Sequence, residues 1–100
     1  MLRIGARASG ASVAPSLLDQ TRSRLRLTLG RFAARIERAR ARIVREERAW
    51  RCDVVVRLGD GRVVRASVAD RSAAEASTLA VDRAAASVAR LIELDRTLGA

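Results

Sequence analysis

One hundred residues make one small domain, 1–100, with a core that is real but thin. Apolar residues are 49% of the chain, yet Phe32 and Trp50 are the only aromatics, so Ala, Val, Leu and Ile must fill the interior. All 20 basic residues are arginine and 11 acids oppose them, a formal charge of +9 that attracts phosphate polymers or acidic membranes, and the planar fork of arginine favours phosphate. With no histidine and the single cysteine Cys52, histidine–cysteine metal sites, histidine general-base catalysis and an internal disulfide are excluded; no cofactor is implied and no enzyme is expected.

The chain opens with "MLRIGARASGASVAPSLL". Leu2 and Ile4 alternate with Arg3, which fits a short first strand followed by a Gly/Ser loop. The same segment is free of acids up to Asp19 and rich in Arg, Ser and Ala, which also fits an organellar transit peptide. It lacks the apolar run of a secretory signal, and no segment is long enough to span a bilayer, so no membrane partner is expected.

Pro15 suits the first turn of a helix. At 100° per residue Leu18, Leu25, Leu29, Phe32 and Ile36 fall within about 60° of one another, one apolar stripe, with Arg24, Arg31 and Arg35 on the opposite side. Leu27 falls among those arginines and reads as an exposed leucine. Near Ile36 the period changes. In "ERARARIV", Arg38, Arg40 and Arg42 alternate with Ala39, Ala41 and Ile43, the two-residue repeat of a strand. Three arginines then project from one sheet face at steps of about 7 Å, close to the step between phosphates of a nucleic-acid strand. Alanine favours helix, but a helical projection of this part gives no second apolar stripe.

"WRCDVVVRL" places Cys52, Val54, Val56 and Leu58 on one strand face, and "RVVRASV" places Val64, Ala66 and Val68 on another. A two-residue turn between them would set Val56 opposite Arg65. A three-residue loop, Gly59 to Gly61, instead pairs Val56 with Val64 and Val54 with Ala66, and gives Gly61 the left-handed position such loops favour. The outer face carries Arg51, Arg57 and Arg65 with Asp53. Cys52 lies in the inward set and reads as a small buried hydrophobe. "REERAW" leaves a loop of about four residues before this hairpin. The last element opens with "SAAE", Ser72 and Glu75 at capping-box spacing. Its stripe of Ala73, Ala80, Val81, Ala84, Val88, Leu91 and Ile92 runs towards Leu98, with Asp82, Arg83, Arg90 and Glu93 turned away; Gly99 ends it.

The order is β-α-β-β-β-α. It predicts an α+β domain in which a four-stranded sheet carries both helices on one face and leaves the other to solvent. Charge is local: residues 22–51 hold eleven arginines against Glu37, Glu46 and Glu47, whereas from Ser72 onward three arginines face four acids. A binding face needs that asymmetry and mere solubility does not.

The run "SRLRLTLGRFAARIERARARI", then "WRCDVVVRL", a glycine turn, a strand and "LAVDRAAASVARLIE" closely resembles the short form of the hibernation-promoting factors and ribosome-associated inhibitors, over roughly Ser16 to Leu94. Within it, "LGRF" before a basic strand, "RC" opening the next strand and Ala80 to Arg83 carry the likeness. The resemblance implies a cytoplasmic, non-catalytic protein that binds the small ribosomal subunit in the channel used by messenger and transfer RNA and silences translation in slow growth. Arg24, Arg31 and Arg35 on the helix, with Arg38, Arg40, Arg42 and Arg57 on the sheet, would then neutralise rRNA phosphates. No aromatic is available on the outer face for base stacking, so backbone and shape would be read. The chain departs from the family in its short second loop, in Thr78 where an aromatic is common, and in lacking a closing basic run. Those departures favour an alternative, a diverged protein-interaction module without ribosome binding; a double-stranded-RNA-binding domain is a third possibility.

Overall fold

Pro15 opens the first helix because its fixed φ fits the first turn and its missing N–H is one that no helical partner would receive. A computed structural model describes residues 2–10 and 12–99. Its elements are β1 (Arg3–Ser9), α1 (Pro15–Leu29), a 3-10 segment (Gly30–Arg35), β2 (Ile36–Arg45), β3 (Trp50–Leu58), β4 (Val63–Asp70) and α2 (Ala73–Gly99). This is the expected α+β order. The sheet runs β1-β2-β3-β4, with β1 parallel to β2 and the other pairs antiparallel. The N-terminal segment is thus a strand; of the Gly/Ser loop after it, Ala11 lies outside the described residues.

The apolar stripe of the first helix is shorter than its periodicity suggests. Leu25 and Leu29 are fully buried and Leu27 stands 81% exposed, as a helical repeat requires. The α-helix ends at Leu29 and the chain tightens into 3-10 turns, so Phe32 packs from the 3-10 segment and Ile36 from a strand. Ile36 is buried for a different reason than helical phase. The β2–β3 register shifts between Ile36 and Arg38, leaving Glu37 as an extra residue in the ladder. That bulge flips parity. Ile36 and the set Ala39, Ala41 and Ile43 therefore all face inward, although they differ by an odd number of positions.

The β3–β4 hairpin has the register that apolar matching demands: Val56 opposite Val64 and Val54 opposite Ala66. Leu58 N–H donates to the Arg62 carbonyl at 2.9 Å, which closes a three-residue loop. Gly61 takes φ +95°, a conformation costly for any residue with a Cβ. The β2–β3 connection is four residues, Glu46 to Ala49, closed by a 2.8 Å bond from Glu46 N–H to the Ala49 carbonyl.

Both helices cover one sheet face. Ala76, Ala80 and Ala84 are fully buried along α2, and with no side chain beyond Cβ they let that helix lie close to β3 and β4. Ser72 accepts a 3.3 Å bond from Glu75 N–H, the cap that "SAAE" signals. The buried stripe ends at Ile92; Leu98, placed by periodicity at its far end, is 78% exposed. Trp50 and Phe32 sit at the rim, with the Arg45 and Arg31 guanidinium groups 4.9 and 4.5 Å from their ring centres.

Candidate nucleic-acid interface

Strand parity decides which arginines reach solvent on the open side of the sheet. Inward residues such as Ile4, Ala6, Ala39, Ala41 and Val54 pack on the core; their neighbours point the other way. The register lines them up in rows across the strands. One row is Arg3, Arg38 and Arg57, the next Gly5, Arg40, Val55 and Arg65, the third Arg7, Arg42, Asp53 and Ser67. Neighbouring strands are about 4.8 Å apart and successive rows about 7 Å. A shallow trough of about 740 Å³ crosses the middle of this face, between Arg7, Arg40 and Arg42 on one side and Asp53, Val55 and Arg65 on the other.

Compensation is uneven. Arg51 donates from Nε to both Asp53 oxygens at 3.1 and 3.2 Å, and from Nη1 to Glu46 at 2.6 Å. Ser67 Oγ donates to Asp53 at 2.6 Å. Arg57 lies 3.9 Å from Glu37. By contrast, among the described residues Arg3, Arg7, Arg38, Arg40, Arg42 and Arg65 make no ion pair. Arg42 turns away from the Asp53 opposite it and donates to Ser9 Oγ on β1 at 3.1 Å.

The seven arginines singled out from sequence divide into two groups. Arg38, Arg40, Arg42 and Arg57 share the open face. Arg24, Arg31 and Arg35 do not join them, since their segment packs on the other side of the sheet. Arg24 grips Asp82 of α2 with Nε and Nη2 at 2.9 and 2.8 Å, bonds that raise its already high pKa. Arg35 donates to Asp95 at 2.8 Å, Arg31 covers Phe32, and Asp82, turned away from the apolar stripe of its own helix as expected, meets α1. Two of the helical arginines thus tie α1 and the 3-10 segment to α2. The structure adds Arg3 and Arg7, which the alternation of Arg3, Gly5 and Arg7 with Leu2, Ile4 and Ala6 already signals, and Arg65.

Beneath this face Cys52 is fully buried. Burial, helped by the neighbouring Asp53 charge, pushes its thiol up to about 12, so it stays protonated and unreactive. At the far end Arg62 bridges Asp60 and Asp95, and its hydrogen bonds hold both carboxyls below the ordinary range. No described helix is long and apolar enough to cross a membrane.

No protein-family model matches the sequence, and no curated protein matches it. Solved structures do match. A ribosomal subunit interface protein from Coxiella burnetii superposes with a TM-score of 0.77 at 16% identity, over 93% of this chain and 99% of that one. The N-terminal domain of Protein Y from Thermus thermophilus gives 0.74 at 22% identity, over 91% of this chain and 99% of its own. The chain therefore has the fold of these proteins, in keeping with the family that its sequence resembles.

Proposed function

We propose that the chain is a non-catalytic, cytoplasmic ribosome-binding protein that occupies the messenger and transfer RNA channel of the small subunit and silences translation in slow growth. The observation that carries this reading is the band of uncompensated arginines on β1 and β2, supported by a fold shared with a protein described as a ribosomal subunit interface protein. Arg38, Arg40, Arg42 and Arg57, joined by Arg3, Arg7 and Arg65, contact rRNA phosphates. Arg31 contributes at the margin, and Arg24 and Arg35 act mainly by holding the helices together.

Sedimentation of lysate from starved cells through a sucrose gradient tests it. Co-migration with small subunits or whole ribosomes is expected. With about six phosphate contacts, affinity falls about a thousandfold between 50 and 200 mM salt, by the counterion arithmetic of duplex DNA. A position near the top of the gradient at low salt refutes it and favours the interaction module, for which Leu94 and Leu98, 53% and 78% exposed at the end of α2, supply an apolar contact.

A further inference from the structure

The open face is asymmetric in a way that net charge alone does not explain. On β1 and β2 the outward positions are Arg3, Gly5 and Arg7 beside Arg38, Arg40 and Arg42, with no acid among these six positions. On β3, one strand further, stand Asp53, Val55 and the Glu37-paired Arg57. The cationic band is two strands wide, about 5 Å between strand axes, and three rows or about 13 Å long. Those are the dimensions of one phosphodiester strand lying along the β2 direction. The two backbones of an A-form RNA duplex flank a wide, shallow minor groove, so with one backbone on β1 and β2, a second facing the sheet across that groove would lie over β3 and β4. There it would meet Asp53, whose carboxylate is fixed in place by Arg51 and Ser67, with Arg65 as the one cation on the outer face of β4.

We propose that the β1–β2 band is a track for one strand of RNA: Arg3 with Arg38 and Arg7 with Arg42 grip two phosphates, Arg40 holds the phosphate between them over Gly5, and Asp53 fences the track against a duplex. This rests on the open face being a phosphate-binding surface and specifies which backbone it accepts. Gly5 matters because it leaves the middle of the track empty. A Cβ built there would stand 3.7 Å from Arg40 Cγ, an ordinary contact with a flexible side chain. A larger residue at position 5 is therefore compatible with the strand yet fills the space of the central phosphate.

The test is fluorescence anisotropy of the full chain with a labelled ten-nucleotide RNA without self-complementarity, alone and annealed to its complement, from 50 to 200 mM salt. The single strand is expected to bind at least tenfold tighter than the duplex, the reverse of what charge density alone gives. Three phosphates give a logarithmic salt slope of about −2, roughly a 20-fold loss across that range. Arg7→Ala and Gly5→Val each weaken single-strand binding about tenfold, whereas Arg90→Ala, which removes the same charge from the exposed side of α2, changes it less than twofold. Asp53→Asn raises duplex affinity about tenfold. Circular dichroism confirms that each variant is folded, and if Gly5→Val is not, Arg7→Ala and Asp53→Asn still decide. Duplex binding as tight as single-strand binding, or equal losses from Arg90→Ala and Arg7→Ala, overturns the track. Co-sedimentation with ribosomes together with a duplex preference overturns the track alone; a single-strand preference without co-sedimentation supports the track and overturns the ribosome reading.

Discussion

Leu25, Leu27 and Leu29 alternate with Arg26 and Thr28, so "LRLTL" by itself could be a strand with all three leucines on one face. In the helix, Leu25 and Leu29 are fully buried and Leu27 is 81% exposed. Truncating Leu29 to alanine removes a side chain packed at the last turn of α1 and leaves a cavity that an alanine-rich core has little bulk to refill. Buried leucine-to-alanine changes cost about 3–5 kcal/mol, a large share of the roughly 5–15 kcal/mol that holds a domain folded. At about 4–8 °C per kcal/mol for a chain of this size, even the low end lowers the melting temperature by at least about 12 °C. Leu27→Ala should stay within about 0.5 kcal/mol of the parent. Urea titrations followed by far-ultraviolet circular dichroism, run on Leu25→Ala, Leu27→Ala and Leu29→Ala, give the comparison directly. Equal losses for Leu27→Ala and Leu29→Ala would return this segment to a strand and remove the helix that packs under β1 and β2.

Gly61→Ala places a Cβ at φ +95° and should cost about 1–2 kcal/mol in the same titrations; Gly59→Ala, whose Cβ would stand an ordinary 3.8 Å from the Arg35 carbonyl, should cost clearly less, and the opposite ranking would refute the loop assignment. Cys52, with its thiol pushed up to about 12 by burial, should react with a thiol reagent at pH 8 at least about a hundredfold more slowly in the native protein than in urea; equal rates would place it at the surface. Because Arg62 holds the Asp95 carboxyl below its unfolded value, the ion pairs of Asp95 stabilise the fold fully above pH of about 4 and are lost as pH falls through the depressed folded value. The melting-temperature gap between the parent and Asp95→Asn should therefore be widest near neutrality and close on acidification, and a gap that widened instead would reverse the assignment.

The hairpin was readable from sequence because one constraint sufficed: only a three-residue loop keeps Val54 and Val56 opposite apolar partners, and Gly61 stands where that loop needs it. The junction around Ile36 was not. Its helical phase agrees with Leu18, Leu25 and Leu29 by coincidence of spacing, while the cause of its burial is an extra residue, Glu37, in the ladder with β3. A bulge belongs to the pairing of two strands, and periodicity along one strand cannot register it. The arginines of the first helix show the same limit. Helical phase turns Arg24 and Asp82 away from their own apolar stripes, correctly, but that they face each other is a relation between residues 58 positions apart. It depends on how the helices cross.

Placing arginines opposite one another on adjacent strands opposes folding. Arg3 pairs with Arg38 and Arg7 with Arg42, and like charges at such positions cost a few tenths of a kcal/mol or more each. β1 has only β2 as a sheet neighbour, so the cost falls on an edge strand, held by ladder hydrogen bonds on one side alone. It stays in place from behind: Ile4 and Ala6 pack on the core, and Arg22 of α1 reaches across to donate to the Ala6 carbonyl at 3.2 Å. The acids that could have quenched the band lie elsewhere, Asp19 on Arg22, Asp82 on Arg24, and Asp60 and Asp95 on Arg62. Charge is thus neutralised where Arg24, Arg35 and Arg62 clamp other elements to α2 and left unneutralised on the open face of β1 and β2. A polyanion seated on β1 and β2 would relieve the repulsion that the free domain carries, and by binding only the folded state it would raise stability with the logarithm of its concentration above Kd. An edge strand strained by like charges is then the one that such a ligand would secure.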